Sequence, residues 1–414
     1  MQITTSARWS AVLGPGLLVA ATGVGAGDLV TATLAGSDIG LVVVWAALFG
    51  AVLKWTLNEG IARWQLATGS TLLEGWNNQF GVWFSRMFFL YFIIWTFAVG
   101  GALVNACGIA GTAFFPIGDP ATSKIVWGIF HSLVGGVLVW KGGFKRFERV
   151  MVVCVGVMVV SVLMTAGLIV WGSFDEVTRG IFLPSTPSTR NDWVWFLGVL
   201  GGVGGTVTML SYGYWIREAG RTGQEGLRTS QIDLAVSYGM TGVFGAAMVI
   251  IGGQIGGTGQ GAQVAVQLSD QLGTALGSQA KWLFLIGFWG AVFSSLLGVW
   301  QSAPYLFADF LQQYQGHRMH RSASDLRSSS SYQWYLLGLS IVPLVLLWTT
   351  VRQAQILYAT LGAWFMPLVA LSLLMLNNRT ALVGERFRNG FIINTLLVLT
   401  LVLFAYLAVM GILN

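Results

Sequence analysis

The sequence predicts an all-α integral membrane protein with about eleven transmembrane helices. Of its 414 residues, 55% are hydrophobic and only 9% are charged, whereas a soluble domain carries roughly a quarter charged residues. Apolar runs of about 20 residues, long enough to cross a bilayer core of ~30 Å, recur from end to end. Strands of about ten alternating residues, which would build a membrane barrel, are absent from the sequence. Because backbone polar groups must be satisfied internally in lipid, the apolar runs are predicted to be helices.

The predicted spans lie near residues 11–36, 39–62, 82–110, 123–142, 148–172, 193–216, 231–256, 281–310, 333–350, 353–376 and 389–413. The first follows one arginine, as a signal peptide would, but another span comes directly after it, so we expect it to be retained. The longest polar stretch, Gln312 to Gln333, reads as a cytoplasmic loop. Residues 1–414 are therefore predicted to form a single transmembrane domain.

The basic residues predict the orientation of the chain. With the N-terminus in the cytoplasm, sixteen of the 22 Lys and Arg residues fall on the cytoplasmic side and five fall outside. This asymmetry predicts a multi-pass protein of the cell (inner) membrane with a cytoplasmic N-terminus and an extracytoplasmic C-terminus. It also explains the basic charge without a nucleic-acid partner. The remaining residue, Lys54, lies a turn or two from the cytoplasmic end of span 2, and we expect its side chain to snorkel to the interface.

Spans 1 and 6 contain glycine-rich interruptions. Residues 22–28 read TGVGAGD, and residues 201–211 read GGVGGTVTMLS. Each glycine disfavours helix by about 1 kcal/mol relative to alanine, so these clusters predict helix breaks. They open two successive sets of five spans, a first repeat at about 11–172 and a second at about 193–376, before an extra helix at about 389–413. This pattern predicts an inverted-repeat transporter with a midplane site. In span 6, close packing through Gly201 and Gly205 is an alternative.

Asp28 is the acidic residue that lies well inside a span. A carboxylate there is costly unless it is paired, hydrated or bound to a cation, and such residues mark substrate or ion paths. The neighbouring glycines free main-chain carbonyls, and hard divalent cations favour these oxygen ligands. Alternatively, Asp28 caps the second half of span 1. Other polar residues predicted to face the same cavity, each with interhelical hydrogen bonding as its alternative role, are Thr22, Asn105, Thr206, Thr208, Ser211, Ser294 and Ser295.

The sequence does not predict an enzyme or a resident cofactor. It lacks the Ser-His-Asp, H-E-x-x-H and P-loop patterns. Cys107 and Cys154 are single thiols within spans, and we interpret them as packing residues. His317 and His320 lie in the polar loop without a carboxylate cluster beside them, so we expect a solvated loop there rather than a metal site.

Several segments together resemble the Nramp family of divalent-metal transporters over nearly the whole chain. Gly14-Pro15-Gly16 precedes the first break, residues 53–55 (LKW) and 67–69 (ATG) follow in and after span 2, and residues 142–148 (GGFKRFE) follow span 4. The resemblance implies a LeuT-type fold, a 5+5 inverted repeat with discontinuous helices 1 and 6. It also implies that a divalent cation is the substrate rather than a cofactor.

The family's metal site maps onto two segments that depart from its motifs. The family's Asp-Pro-Gly-Asn motif falls on residues 25–28 (GAGD), so its aspartate is replaced by Gly25 and its asparagine by Asp28. In span 6, Gly205 takes the position of a ligand alanine. Residues 208–211 (TMLS) stand in place of Met-Pro-His-Asn, so Thr208 replaces the ligand methionine unless the register shifts by one and Met209 serves. The resemblance thus implies a binding site containing Asp28, Gly25, Gly205, Thr206, Thr208, Met209 and Ser211.

Loss of the thioether changes the expected substrate. Because thioethers help select softer transition metals, their replacement by a hydroxyl favours Mg²⁺ over Mn²⁺. The family's proton relay maps onto residues 91–98 and 335–340, which contain no carboxylate, imidazole or guanidinium. We therefore expect uncoupled import driven by the membrane potential, as in the divergent magnesium-transporting branch that the chain resembles. A small organic substrate such as an amino acid, whose carboxylate would meet half-helix amides, is one alternative. A non-transporting sensor is another.

Overall fold

The computed structural model describes residues 5–142, 144–170, 174–182, 205–255, 263–315 and 323–413, together with residues 193, 196 and 198–200. Within these ranges all regular structure is helical, which confirms the predicted all-α class. In chain order the α-helices are α1 (Thr5–Gly23), α2 (Ala26–Ile39), α3 (Val44–Thr68), α4 (Leu72–Phe80), α5 (Val82–Phe114), α6 (Pro120–Lys141), α7 (Phe144–Val170), α8 (Phe174–Phe182), α9 (Tyr212–Glu218), α10 (Gly223–Ile255), α11 (Gln263–Leu276), α12 (Ser278–Tyr314), α13 (Ala323–Ser328), α14 (Ser330–Ile341), α15 (Val351–Asn377), α16 (Thr380–Val383) and α17 (Phe391–Leu413). Short 3₁₀ segments lie at Leu41–Val43, Val207–Ser211, Val342–Trp348 and Glu385–Phe387.

The predicted spans coincide with helical residues. Among the described residues, 8 helices are long and apolar enough to cross a membrane, and they correspond to predicted spans 2–5 and 7–10. Span 1 falls on α1 and α2, and span 11 falls on α17. The described residues of span 6 are helical on both sides of its break. The total of eleven spans, the repeat boundaries and the orientation stay predictions.

Apolar side chains cover the outside of the bundle. On α5, for example, Met87, Leu90 and Ile94 are exposed. Patches of this kind are unusual on a soluble monomer but are expected where a helix faces lipid. The exterior therefore agrees with a multi-pass membrane protein.

Two long helices organise the interior. The helix α10 packs along α1, α2 and α3, while α12 packs against α1, α5 and α7. Small residues make the closest approaches possible. A Cβ atom on Gly36 of α2 would overlap the Val249 carbonyl of α10, and a Cβ on Gly252 would overlap the Thr33 carbonyl. The two backbones are thus in direct contact, as small residues permit between membrane helices.

The helices of spans 1 and 6 are both interrupted, as predicted. The first interruption separates Gly23 from Ala26 and includes Gly25, which has φ −133° and ψ −150°. In span 6, Gly205 has φ +81°, and a 3₁₀ turn at Val207–Ser211 leads into α9. The packing role considered for Gly201 lies outside the described residues.

Candidate functional site

The two helix breaks contact each other in the buried interior of the bundle. A Cβ atom on Gly205 would lie 3.2 Å from the Cα of Gly23 and 2.9 Å from the Thr208 Oγ1. The φ of +81° at Gly205 is also one that glycine adopts far more readily than other residues. Glycine at this position therefore allows the span 6 backbone to turn sharply and to lie against span 1.

A small cavity of about 10 Å³ lies between the breaks. This is close to the smallest volume that holds one water molecule. Helix α5 provides much of its apolar wall, and α12 and α15 complete it. The lining residues are Thr22, Gly23, Gly25, Trp95, Val99, Ala102, Leu103, Thr208, Ser295, Val299 and Tyr358.

Hydroxyl groups of α12 satisfy main-chain carbonyls at the end of α1. Ser295 Oγ donates a hydrogen bond to the Thr22 carbonyl at 2.8 Å, and Ser294 Oγ donates to the Ala21 carbonyl at 3.2 Å. The close approach of Ser295 to the break requires glycine at position 25, because a Cβ on Gly25 would overlap Ser295 Oγ. Two main-chain carbonyls in the last turn of α1, beside the break, thus accept hydrogen bonds from neutral serine side chains.

The predicted span 6 residues divide between the cavity and its surroundings. Thr208 lines the cavity, whereas Met209, although only 1% exposed, is not among the lining residues. Thr206 Oγ1 accepts a hydrogen bond from the Trp95 indole at 3.0 Å. The Ser211 hydroxyl is buried and has no hydrogen-bond partner within the described part of the chain. Among the span 6 residues predicted for the site, Thr208 is therefore the one that lines the cavity.

Asn105, another predicted cavity residue, is turned away from the lining. Its Nδ2 donates to the carbonyls of Gly101 and Leu346 at 2.9 and 2.8 Å. This interhelical contact matches the alternative role considered for it.

Asp28 is the third residue of α2 and lies in the first turn after the break. Its side chain lies outside the described part of the structure. A negative charge in the first turn of a helix is stabilised by the helix dipole. The backbone position is consistent with both a capping role and a cation-binding role.

The prediction that Lys54 snorkels to the interface is wrong. The side chain is only 1% exposed, and Nζ donates a hydrogen bond to the carbonyl of Gly205. Its neighbours on α3, Leu53 and Leu57, are fully buried. Because the span 6 break provides a carbonyl acceptor inside the bundle, the ammonium group finds a polar partner there instead of at the membrane surface.

Two aromatic residues of the cavity were missed by sequence reasoning. Trp95 and Tyr358 both line it, with their ring centroids 6.5 Å apart. Neither carries a local signal in the sequence. Trp95 lies in an apolar segment, residues 91–98, that resembles many others in this tryptophan-rich chain.

A buried ion pair lies on the side of the site that is predicted to be cytoplasmic. The Asp233 carboxylate accepts hydrogen bonds from the Arg221 guanidinium at 2.8 Å, the Tyr212 hydroxyl at 3.1 Å and the Gly16 amide at 2.8 Å. A Cβ on Gly16 would overlap this carboxylate, which explains the second glycine of Gly14-Pro15-Gly16. We call Asp233, Arg221, Tyr212 and Gly16 the inner latch. It joins both interrupted helices, through α1 and α9, to α10.

A second buried carboxylate lies on the same side. Asp309 on α12 accepts hydrogen bonds from the Tyr214 hydroxyl, from the Thr71 hydroxyl at 2.9 Å and from the Gln313 amide at 3.0 Å. Tyr214 belongs to α9, so this helix is held by two separate carboxylates. No group of three or more His, Cys, Asp or Glu residues is suitably placed for a metal ion within the described ranges.

A multi-pass helical bundle in which two interrupted helices meet around a small buried cavity has the architecture of LeuT-type transporters. A family profile described as "Natural resistance-associated macrophage protein-like" matches residues 16–414, and the chain therefore belongs to the Nramp family. The family assignment makes it a transporter rather than an enzyme. It also confirms the resemblance to the Nramp family that the sequence motifs indicated.

Solved structures support the fold. A mutant of the Eremococcus coleocola manganese transporter superimposes with a TM-score of 0.73 at 17% identity, covering 100% of this chain and 88% of that one. MhsT in complex with L-phenylalanine gives a TM-score of 0.62 at 14% identity, covering 96% and 98% of the two chains. A Na⁺-coupled sialic acid symporter gives 0.62 at 13% identity, covering 95% and 88%. None of the curated proteins matches the chain by sequence.

Proposed function

We propose that the protein imports a divalent cation, Mg²⁺ in preference to Mn²⁺, across the cell membrane. The observation that carries this proposal is the oxygen-only donor set at the facing breaks of an Nramp-family chain. Thr22, Thr208 and Ser295, which carry hydroxyl groups, line the cavity, and Met209 is not among its lining residues. Hard cations such as Mg²⁺ favour oxygen ligands, whereas a thioether would favour softer metals. Asp28 supplies the negative charge in this proposal.

The small size of the cavity supports a mechanism with a closed intermediate. A volume of about 10 Å³ leaves no room for an ion with several retained waters, and Mg²⁺ gives up its waters reluctantly. A hydrated ion would therefore enter only when the two breaks separate. The inner latch keeps the cytoplasmic side closed at that stage, so that access from one side is followed by access from the other.

The proposal includes import without proton coupling. Residues 91–98 and 335–340 contain no side chain that titrates near neutral pH. Tyr91 in the first segment donates its hydroxyl to the Leu361 carbonyl at 2.7 Å, a structural contact with α15. The membrane potential then drives transport, and two charges moving inward gain about 4.6 kcal/mol per 100 mV.

A small organic substrate is the second candidate, and it is favoured by a specific observation. The rings of Trp95 and Tyr358 line the cavity, and apolar walls with a few polar groups are typical of organic ligand sites. The ammonium group of Lys54 at the nearby break would also favour a carboxylate. Two of the similar structures are described as complexes or transporters of organic molecules, L-phenylalanine and sialic acid.

Uptake into proteoliposomes separates these two functions. The purified protein is reconstituted with an indicator for Mg²⁺ or Mn²⁺ and a second indicator for internal pH, and an inside-negative potential is imposed. We expect the potential to drive Mg²⁺ entry faster than Mn²⁺ entry, without acidification beyond that of protein-free liposomes. Acidification that requires the metal would contradict uncoupled transport. No metal entry, combined with accumulation of a labelled amino acid, would favour the organic substrate.

A further inference from the structure

The two helix breaks satisfy their carbonyl groups in different ways. At the break in span 1, the neutral hydroxyls of Ser294 and Ser295 donate to main-chain carbonyls. At the break in span 6, the ammonium group of Lys54 donates to the carbonyl of Gly205. The donors at the two breaks therefore differ in charge, being neutral at the first break and positive at the second.

Burying the positive charge of Lys54 at the break would be energetically unfavourable without polar partners. Lys54 is 1% exposed and lies within α3, and burying a charged group in a membrane protein is unfavourable unless polar partners compensate. Intramembrane lysines therefore generally serve a function. The carbonyl of Gly205 lies on the irregular backbone of the break, and carbonyls of this kind coordinate alkali cations in membrane proteins as well as accepting hydrogen bonds.

We propose that the Lys54 ammonium is a tethered monovalent cation, which occupies the position at the Gly205 carbonyl that a free monovalent cation would otherwise bind. The covalent link to α3 keeps this charge permanently at the break and joins span 2 to span 6. The protein then requires no free Na⁺ or K⁺ at this position. The inference concerns a cation other than the transported one, so it holds for either substrate considered above.

The proposal predicts a new binding site when the tether is removed. In Lys54→Ala, the Cβ atom remains and the vacated space has the length of n-propylammonium, whose ammonium group can reach the Gly205 carbonyl. In Lys54→Met, a neutral side chain fills most of that space. Lys124→Met is the matched control, because Lys124 also donates to a backbone carbonyl, that of Thr349 at 3.0 Å, but lies on α6 away from the breaks.

Thermal unfolding of the purified variants tests the proposal without any transport measurement. The unfolding midpoint is recorded in choline chloride, with increasing n-propylammonium chloride or with equal concentrations of the neutral 1-propanol. We expect Lys54→Ala to unfold several degrees below the wild type and to recover with n-propylammonium but not with 1-propanol. Lys54→Met should unfold at a lower temperature than Lys124→Met and should show no recovery.

Two results would overturn the proposal. One is a Lys54→Met midpoint equal to that of Lys124→Met, which would show that the charge is dispensable. The other is equal recovery of Lys54→Ala with n-propylammonium and 1-propanol, which would show that the vacated space needs filling but no cation. If the alanine variant yields no folded protein, the comparison of the two methionine variants decides alone. Failure of metal transport would leave these outcomes unchanged, so the two proposals are tested separately.

Discussion

The inner latch gives a quantitative prediction about opening towards the cytoplasm. Asp233 is fully buried, and its carboxylate holds the amide of Gly16 on α1, the hydroxyl of Tyr212 on α9 and the guanidinium of Arg221. Asp233→Asn keeps the shape of the side chain but removes its charge. All three donors contact Oδ2, and Oδ1 has no hydrogen-bond partner among the described residues, so the variant tests the charge of the acceptor. Because the latch joins both interrupted helices to α10, weakening it should favour their separation on this side.

The size of the effect follows from the ion pair. A hydrogen bond to a charged group contributes about 1.5–3 kcal/mol. Arg221 Nη1 and Asp233 are 2.8 Å apart, with side chains that are 5% and 0% exposed, so solvent screens the pair little. If the pair exists only in the closed state, its loss shifts the ratio of closed to open molecules by about 10- to 100-fold, since 1.4 kcal/mol corresponds to a factor of ten.

Cysteine labelling measures this ratio. The two buried free thiols, Cys107 and Cys154, are replaced by alanine, and Ser211→Cys serves as a buried reporter at the start of α9. A membrane-impermeant maleimide added to inside-out vesicles should label the reporter about 10- to 100-fold faster in Asp233→Asn than in the parent, as the latch energy predicts.

A matched control uses an exposed ion pair with a similar distance between its charged atoms. Asp270 and Lys281 are 2.6 Å apart, but their side chains are 57% and 36% exposed, and surface pairs of this kind contribute little. Asp270→Asn should therefore leave the labelling rate unchanged. Equal labelling in Asp233→Asn and Asp270→Asn would refute the assignment of Asp233 to the inner closure.

Three further predictions concern the breaks. Gly205→Ala forces a left-handed backbone on alanine at a cost of about 1–2 kcal/mol and brings a Cβ to 2.9 Å from Thr208 Oγ1. We therefore expect a lower unfolding midpoint and slower uptake. The control Gly239→Ala, which has open space around the added carbon, should change neither. Thr208→Met adds a soft sulfur ligand, and the ratio of Mn²⁺ to Mg²⁺ uptake should rise; an unchanged ratio would contradict the role of Thr208. Replacing external Na⁺ with choline should leave wild-type uptake unchanged, and a Na⁺ requirement would count against the tethered charge of Lys54.

The positions of the breaks were predictable because glycine acts locally. Clusters of glycine disfavour helix whatever surrounds them, so residues 22–28 and 201–211 marked the interruptions before any packing was known. Gly25 and Gly205 both lie at observed irregularities. The placement of Thr208 at the cavity likewise followed from its position relative to the break.

The partner of Lys54 was not predictable in this way. A lysine near a helix end snorkels or turns inward according to what the opposite helix offers, and the Gly205 carbonyl is 151 residues away in the sequence. Asp233 reaches Gly16 across 217 residues for the same reason. The aromatic lining was also hidden, because a chain with 25 Phe and 19 Trp residues gives no indication of which rings meet at one cavity.

In the proposed function, the break in span 1 binds the transported cation through Asp28. Potential-driven Mg²⁺ uptake should be compared in proteoliposomes containing wild type, Asp28→Asn or Asp38→Asn. Asp38 lies on the same helix, α2, and is exposed, so its substitution controls for loss of one negative charge. We predict that Asp28→Asn abolishes Mg²⁺ entry while remaining folded, and that Asp38→Asn transports like the wild type. Mg²⁺ entry at the wild-type rate in Asp28→Asn would contradict the assignment of Asp28 as the charged ligand.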